Sequence, residues 1–174
     1  LAGRITVNPI KHIDPFGTIL LPLLMYFTTQ GAFLFGWARP VPVDFSRLNK
    51  PKRDIRYVAF AGPGANILMA LLWAAFLKAQ VLFGTSEPFF IEMAKAGINV
   101  NLVLAALNLL PILPLDGGRI LFSYLPARAA FNFSKTEPYG MIVLIALVVT
   151  NILPMFIRPF LIVGYGALTT LFNL

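Results

Sequence analysis

The sequence predicts an all-α membrane protein, a polytopic bundle of about four to five transmembrane helices with short membrane-associated β segments. Three observations carry that expectation. Hydrophobic residues make up 58% of the 174 and charged residues only 12%, against roughly 45–50% and 25% in soluble domains. Mean hydropathy is +0.79. The charges that do occur are gathered into short stretches between long apolar runs.

The gaps between ionisable residues mark the spans. Residues 15–38 form a run of 24 without Asp, Glu, Lys or Arg; the next runs are 57–77 (21 residues), 96–115 (20), 138–157 (20) and 159–174 (16). A helix needs about 20 apolar residues to cross roughly 30 Å of hydrocarbon. Four runs reach that length, and the fifth is slightly short. Gln30 and Gly31 interrupt the first, so it reads either as a full span or as a shorter re-entrant element. Residues 1–14 are polar and mixed, unlike a secretory signal.

Loop charge sets the expected orientation. The stretch 39–56 holds six Lys or Arg, 82–96 holds one and 117–138 holds three. Cytoplasmic loops are enriched in Lys and Arg, so the first and third are expected inside. Trp37 and Tyr57 flank the basic loop as interfacial residues do. The net charge of +7 does not signal nucleic acid, which needs a continuous solvated basic face. With zero cysteines, disulfides and thiolate metal sites are excluded.

Two segments alternate with the period of a strand: 4–8 and 39–45. Pro40 and Pro42 confine the second to a sheet edge. Such an edge, with Val41, Val43 and Phe45 on it, can pair with an extended peptide; pattern alone fits a plain interfacial loop equally well.

Asp116 most needs a reason. It follows the apolar run Asn108-Leu109-Leu110-Pro111-Ile112-Leu113-Pro114-Leu115 and precedes Gly117-Gly118-Arg119. A carboxylate at mid-helix in lipid costs at least about 2.5–3.5 kcal/mol, and such residues usually have a partner or a function. Pro111 and Pro114 lack backbone donors and open the helix, while Gly117 and Gly118 permit close backbone approach. By residue type, Asp116 fits a site inside the bundle or a helix-ending Asp paired with Arg119. Gly62-Pro63-Gly64-Ala65-Asn66 is the second cluster: its glycines allow close helix packing and Asn66 brings a hydrogen-bonding group into lipid.

Together the two clusters resemble the site-2 protease family of intramembrane zinc metalloproteases. The resemblance rests on Gly62-Pro63-x-x-Asn66 followed by Asn108-x-x-Pro111-x-x-Pro114-Leu115-Asp116-Gly117-Gly118-Arg119. Asn8-Pro9-x-x-His12-x-Asp14-Pro15-x-Gly17-Thr18 and Gly36-Trp37-Ala38-Arg39-Pro40-Val41-Pro42-Val43 look like the short bacterial forms without a PDZ domain. The resemblance implies one peptidase domain over 1–174, in a bacterial inner membrane, with Zn2+ as cofactor. It also implies Asp116 as the third zinc ligand, Asn108 as a catalytic group steadying the oxyanion, and Gly62, Pro63, Asn66, Gly117 and Gly118 as structural residues. The substrates would be transmembrane proteins, laid along the Val41–Phe45 edge.

One departure is plain. In that family two histidines of an HExxH helix complete the zinc shell, and its glutamate acts as general base. No HExxH occurs in these 174 residues, whose one histidine is His12. The chain begins with Leu, and the HExxH helix is expected upstream of Leu1, before Gly3-Arg4-Ile5. His12 is read as hydrogen-bonded near Asp14 or the site entrance. Without that helix the chain alone is expected to be inactive. The competing readings are a noncatalytic scaffold or degenerate homologue, and a small ion-coupled transporter, which also suits broken helices with a lone Asp.

Overall fold

The computed structural model describes residues 13–20, 23, 24, 26, 27, 51–84 and 87–174. The chain divides into two compact units, Leu1–Arg47 and Leu48–Leu174. In the first, Pro15–Leu20 forms a π-helical segment. The Asp14 carboxylate accepts from the Phe16 amide at 3.0 Å, and Thr18 Oγ1 accepts from the Asp14 amide at 3.0 Å. The expected β segments at 4–8 and 39–45, His12, and the candidate edge residues Val41, Val43 and Phe45 lie outside the described residues.

The second unit is helical: α1 (Pro51–Leu82), α2 (Pro88–Asn108), α3 (Asp116–Tyr124), α4 (Ala127–Ser134), α5 (Glu137–Val149) and α6 (Leu153–Phe172). Among the described residues no strand forms. Among the described residues, three helices are long and apolar enough to cross a membrane: Lys52–Leu82, Pro88–Asn108 and Leu153–Phe172. Large apolar side chains face outward along them, Val163 at 72% exposure among them. In water that surface would be an aggregation hazard; in a bilayer it is the lipid-facing wall. This is an all-α membrane protein.

Small residues let the spans approach. Ala70 and Ala74 of α1, Ile98 and Leu102 of α2 and Leu168 of α6 form one buried cluster. Packing of this kind replaces the hydrophobic drive that lipid does not supply. The Trp73 ring lies against Gly97, filling the space a Cβ there would take. α1 ends in a turn at Gly84 (φ +65°), and α1 and α2 run antiparallel. At the far end of α1, Lys78 Nζ donates to the Asn173 carbonyl at 3.0 Å, which brings the end of α6 to that level.

The run 138–157, expected as one span, is divided. α5 has only 13 residues, about 20 Å of helix, short of the roughly 30 Å hydrocarbon core. The chain turns at Thr150 and at Asn151, whose φ is 57°, and Leu153 opens α6. Leu144 and Leu147 of α5 pack on the cluster of Ala106, Leu110, Leu153 and Ile157. α5 thus stays beside the end of α2 and feeds α6 at that level.

Candidate functional site

α2 ends at Asn108, and the link 109–115 returns the chain to α3. Four of its amides donate locally: Leu109 to the Ala105 carbonyl (3.1 Å), Leu110 to Leu107 (3.1 Å), Ile112 to Leu110 (2.8 Å) and Leu115 to Ile112 (2.9 Å). Pro111 and Pro114 have no amide to satisfy, which suits a tight link in an apolar setting. The Leu113–Pro114 peptide is cis.

Three glycines seal the link. A Cβ on Gly117 would overlap the Leu109 carbonyl, one on Gly118 would overlap Ile112, and one on Gly140 of α5 would overlap the Leu113 carbonyl. The backbone of the link is therefore gripped by α3 on one side and by α5 on the other. Gly140 and Glu137 were not legible as site residues in the sequence. The signals were there, however: Gly140 interrupts a run of bulky residues, and Glu137-Pro138 opens a helix. The Arg119 guanidinium donates from Nε to the Pro114 carbonyl at 3.3 Å and pairs with Glu137 Oε1 at 3.9 Å.

At the start of α3 the Asp116 carboxylate sits against Gly62 of α1, with Oδ2 in the space a Cβ would occupy. Pro63, the next residue, is fully buried. Asn108 reaches the same place from α2 by two independent relations. Its neighbour Leu109 touches Gly117, the neighbour of Asp116. Trp73 also opposes Gly97, and eleven residues further along each antiparallel helix stand Gly62 and Asn108. Eleven residues are about three turns, so each returns to the contacting face. Asn66 stands one turn deeper than Gly62 on α1, half-buried. The structure thus gathers Gly62, Pro63, Asn108, Asp116, Gly117 and Gly118 at one level and puts Asn66 just below it.

α3 runs back along α1 from this level. Arg56 Nε donates to Ser123 Oγ at 3.3 Å, its guanidinium lies 3.9 Å from the Tyr124 ring centroid, and Lys52 Nζ donates to the Leu125 carbonyl at 2.6 Å. Gly62 and Arg56 are six residues apart and Asp116 and Ser123 seven, about 9 and 10 Å of helix. The two rises agree, so Asp116 lies roughly 10 Å below the basic end of α1.

The sequence profile of Peptidase family M50 matches residues 85–151, from α2 through α5. The chain is 37% identical over 179 residues to the protein named "Putative zinc metalloprotease YwhC" of Bacillus subtilis (strain 168), covering 98% of this chain and 76% of that one. It belongs to peptidase family M50, the site-2 proteases. "Putative zinc metalloprotease Rip3" of Mycobacterium tuberculosis is 36% identical over 104 residues, 56% of this M50 chain and 26% of that protein. "Putative zinc metalloprotease Rip2" of Mycolicibacterium smegmatis is 26% identical over 148 residues, 85% and 54% of the two chains. No solved structure matches the chain. Membership makes this a membrane-embedded metalloprotease family member, in accord with its three apolar helices.

Among the described residues no group of three His, Cys, Asp or Glu side chains comes together to hold a metal. Asp116 supplies one carboxylate, half-buried and seated in the Gly62 cradle. A carboxylate is a donor type that zinc accepts.

Proposed function

We propose that the chain is the larger part of an intramembrane zinc endopeptidase that cleaves transmembrane segments, with residues 1–174 working as one peptidase domain. The observation that supports it most is the Asp116 carboxylate held against Gly62 with Asn108 at the same level. In an M50 protein, this is a reasoned place for a metal ligand beside an amide donor. The HExxH helix, expected upstream of Leu1, would bring the two histidines and the general base.

Bound zinc would supply charge stabilisation and a more acidic water. The chain's own residues do the rest. Asp116 offers an oxygen seated in the space that the missing side chain of Gly62 leaves open, a position a larger residue there would displace. Asn108 offers an Nδ2–H to the oxygen on which charge develops as the peptide carbonyl is attacked. The link between them, gripped through Gly117, Gly118 and Gly140, keeps the two at a fixed separation. The wall of apolar helices excludes bulk water, which strengthens both interactions. The stretch Val41–Phe45 would receive the substrate as an added strand. That pairing matters because a helical peptide bond is shielded and its carbonyl already hydrogen-bonded.

The test is metal content together with cleavage in the complete protein. Asp116→Ala should lower zinc per protein and proteolysis of a transmembrane substrate together. Asp116→Asn should retain the shape and also be nearly inactive. Equal zinc in variant and parent with cleavage intact would remove Asp116 from the site and this mechanism with it. Unchanged zinc with altered ion-coupled uptake would favour a transporter.

A further inference from the structure

The short helix α4 is not part of the site. The helix and its C-cap, Lys135, show two faces. Ala129, Ala130, Phe133 and Ser134 turn inward, Ala130 at 3% exposure. Arg128, Phe131, Asn132 and Lys135 turn outward, and Phe131 is 63% exposed. An exposed phenyl ring between two cations, three residues before it and four after, is an odd surface for water. Lys135 Nζ stands 4.5 Å from the Phe131 ring centroid. The arrangement is repeated one step earlier in the chain, where Tyr124, 61% exposed, carries the Arg56 guanidinium over its ring.

The Arg56–Tyr124 pair lies at the level where α1 changes from charged to apolar, and α4 follows it three residues on. Arg56 is the last ionisable residue before the uncharged run that begins at Tyr57, and it is the residue bonded to Ser123. Lys52, bonded to the Leu125 carbonyl, holds the start of α4 to the same end of α1. That change of composition is where a span leaves hydrocarbon for headgroups. An aromatic ring with long cationic side chains beside it suits this zone: the ring enters the acyl boundary and the charges stay among the phosphates.

We propose that α4 is an in-plane anchor: Phe131 inserts at the membrane interface while Arg128 and Lys135 bind the headgroups of anionic phospholipids in the leaflet at the basic end of the bundle. The occupant is lipid because the exposed ring is flanked by two cations, Arg128 and Lys135, and because the start of α4 is tied through Leu125 and Ser123 to Lys52 and Arg56, where α1 turns apolar. Each cation near an anionic leaflet adds attraction. The anchor would hold α3, and so Asp116, at a constant depth.

The 174 residues contain no cysteine, so a single Asn132→Cys can carry a fluorophore on the outward face. The complete protein, so labelled, is reconstituted in phosphatidylcholine bilayers containing either brominated phosphatidylglycerol or brominated phosphatidylcholine. Quenching by both lipids, several-fold stronger for phosphatidylglycerol, is expected. Arg128→Gln with Lys135→Gln should bring the ratio near one, whereas Arg128→Lys with Lys135→Arg should keep it. A label that responds only to a water-soluble quencher would overturn the proposal and favour a soluble partner. Equal quenching by the two lipids, or a preference that survives the double Gln change, would overturn it too. Because the readout is lipid contact and not cleavage, its failure is distinguishable from failure of the protease reading.

Discussion

Four glycines pack against the loop that presents Asp116, but what each one touches differs. Opposite Gly62 is the end of a side chain, the Asp116 carboxylate; opposite Gly117, Gly118 and Gly140 is backbone of the link 109–115. A carboxylate can rotate away from an added methyl group, whereas a backbone carbonyl cannot move without taking the link with it. Gly62→Ala should therefore leave the thermal midpoint in detergent nearly unchanged and lower turnover on the order of 10²-fold, the scale of a ~1 Å misplacement of a reacting group. Gly140→Ala should do the reverse in order: the midpoint falls first, by the ~1–3 kcal/mol typical of overpacking, and activity falls with the folded fraction. Equal loss of stability in the two variants would contradict the contrast. Asn108 and Asn66 divide in the same way. Asn108→Ala should cost about 10²–10³ in turnover, the loss of one oxyanion donor, with little change in stability. Asn66→Ala, one turn deeper on α1, should lower stability and leave the surviving folded fraction active.

At the scale of elements, the spans 57–77 and 96–115 were legible because an uncharged run of about 20 residues has few alternatives to a membrane helix. α1 overshoots its run, beginning at Pro51, since Lys52, Arg53 and Arg56 have good helix propensity and Lys52 and Arg56 find partners in Ser123, Tyr124 and Leu125. α2 stops short of its run, at Asn108, as Pro111 and Pro114 require. The run 138–157 misled because hydropathy records polarity and not path. Thr150 and Asn151 are uncharged, so the count passes over them. Yet Thr150 Oγ1 bonds back to the Ala146 carbonyl at 2.6 Å and Asn151 takes a left-handed φ, which ends α5. Asparagine tolerates that conformation better than most residues. The convergence of Gly62, Asn108 and Asp116 was partly legible, through motif resemblance. What the sequence could not show was the partner of each glycine, because such contacts link residues 6 to 54 positions apart and depend on how the link folds back and on register between helices.

For the whole molecule, orientation and depth follow from one set of residues. The basic end of α1 lies against the residues that lead into α4, with Arg56 roughly 10 Å above the Asp116 level, and the Phe83–Gly84 turn lies at the opposite end of α1. If the positive-inside rule governs this chain, the Lys52 end is cytoplasmic and the Phe83 turn faces outward. Phe83 is 80% exposed, so cysteine there tolerates labelling, and Asn49 stands three residues before Lys52 in the basic stretch. In intact cells a membrane-impermeant thiol reagent should label Phe83→Cys and spare Asn49→Cys; after lysis it should label both. The same experiment fixes the side of cleavage. Asp116 lies nearer the basic end than the turn: Gly62 is ten residues from Lys52 and twenty-one from Phe83, about 15 and 32 Å along α1. A substrate cut at Asp116 would therefore be cut in the cytoplasmic half of the bilayer. Labelling of Asn49→Cys in intact cells would invert the bundle, and the expected cut would move to the outer half with it.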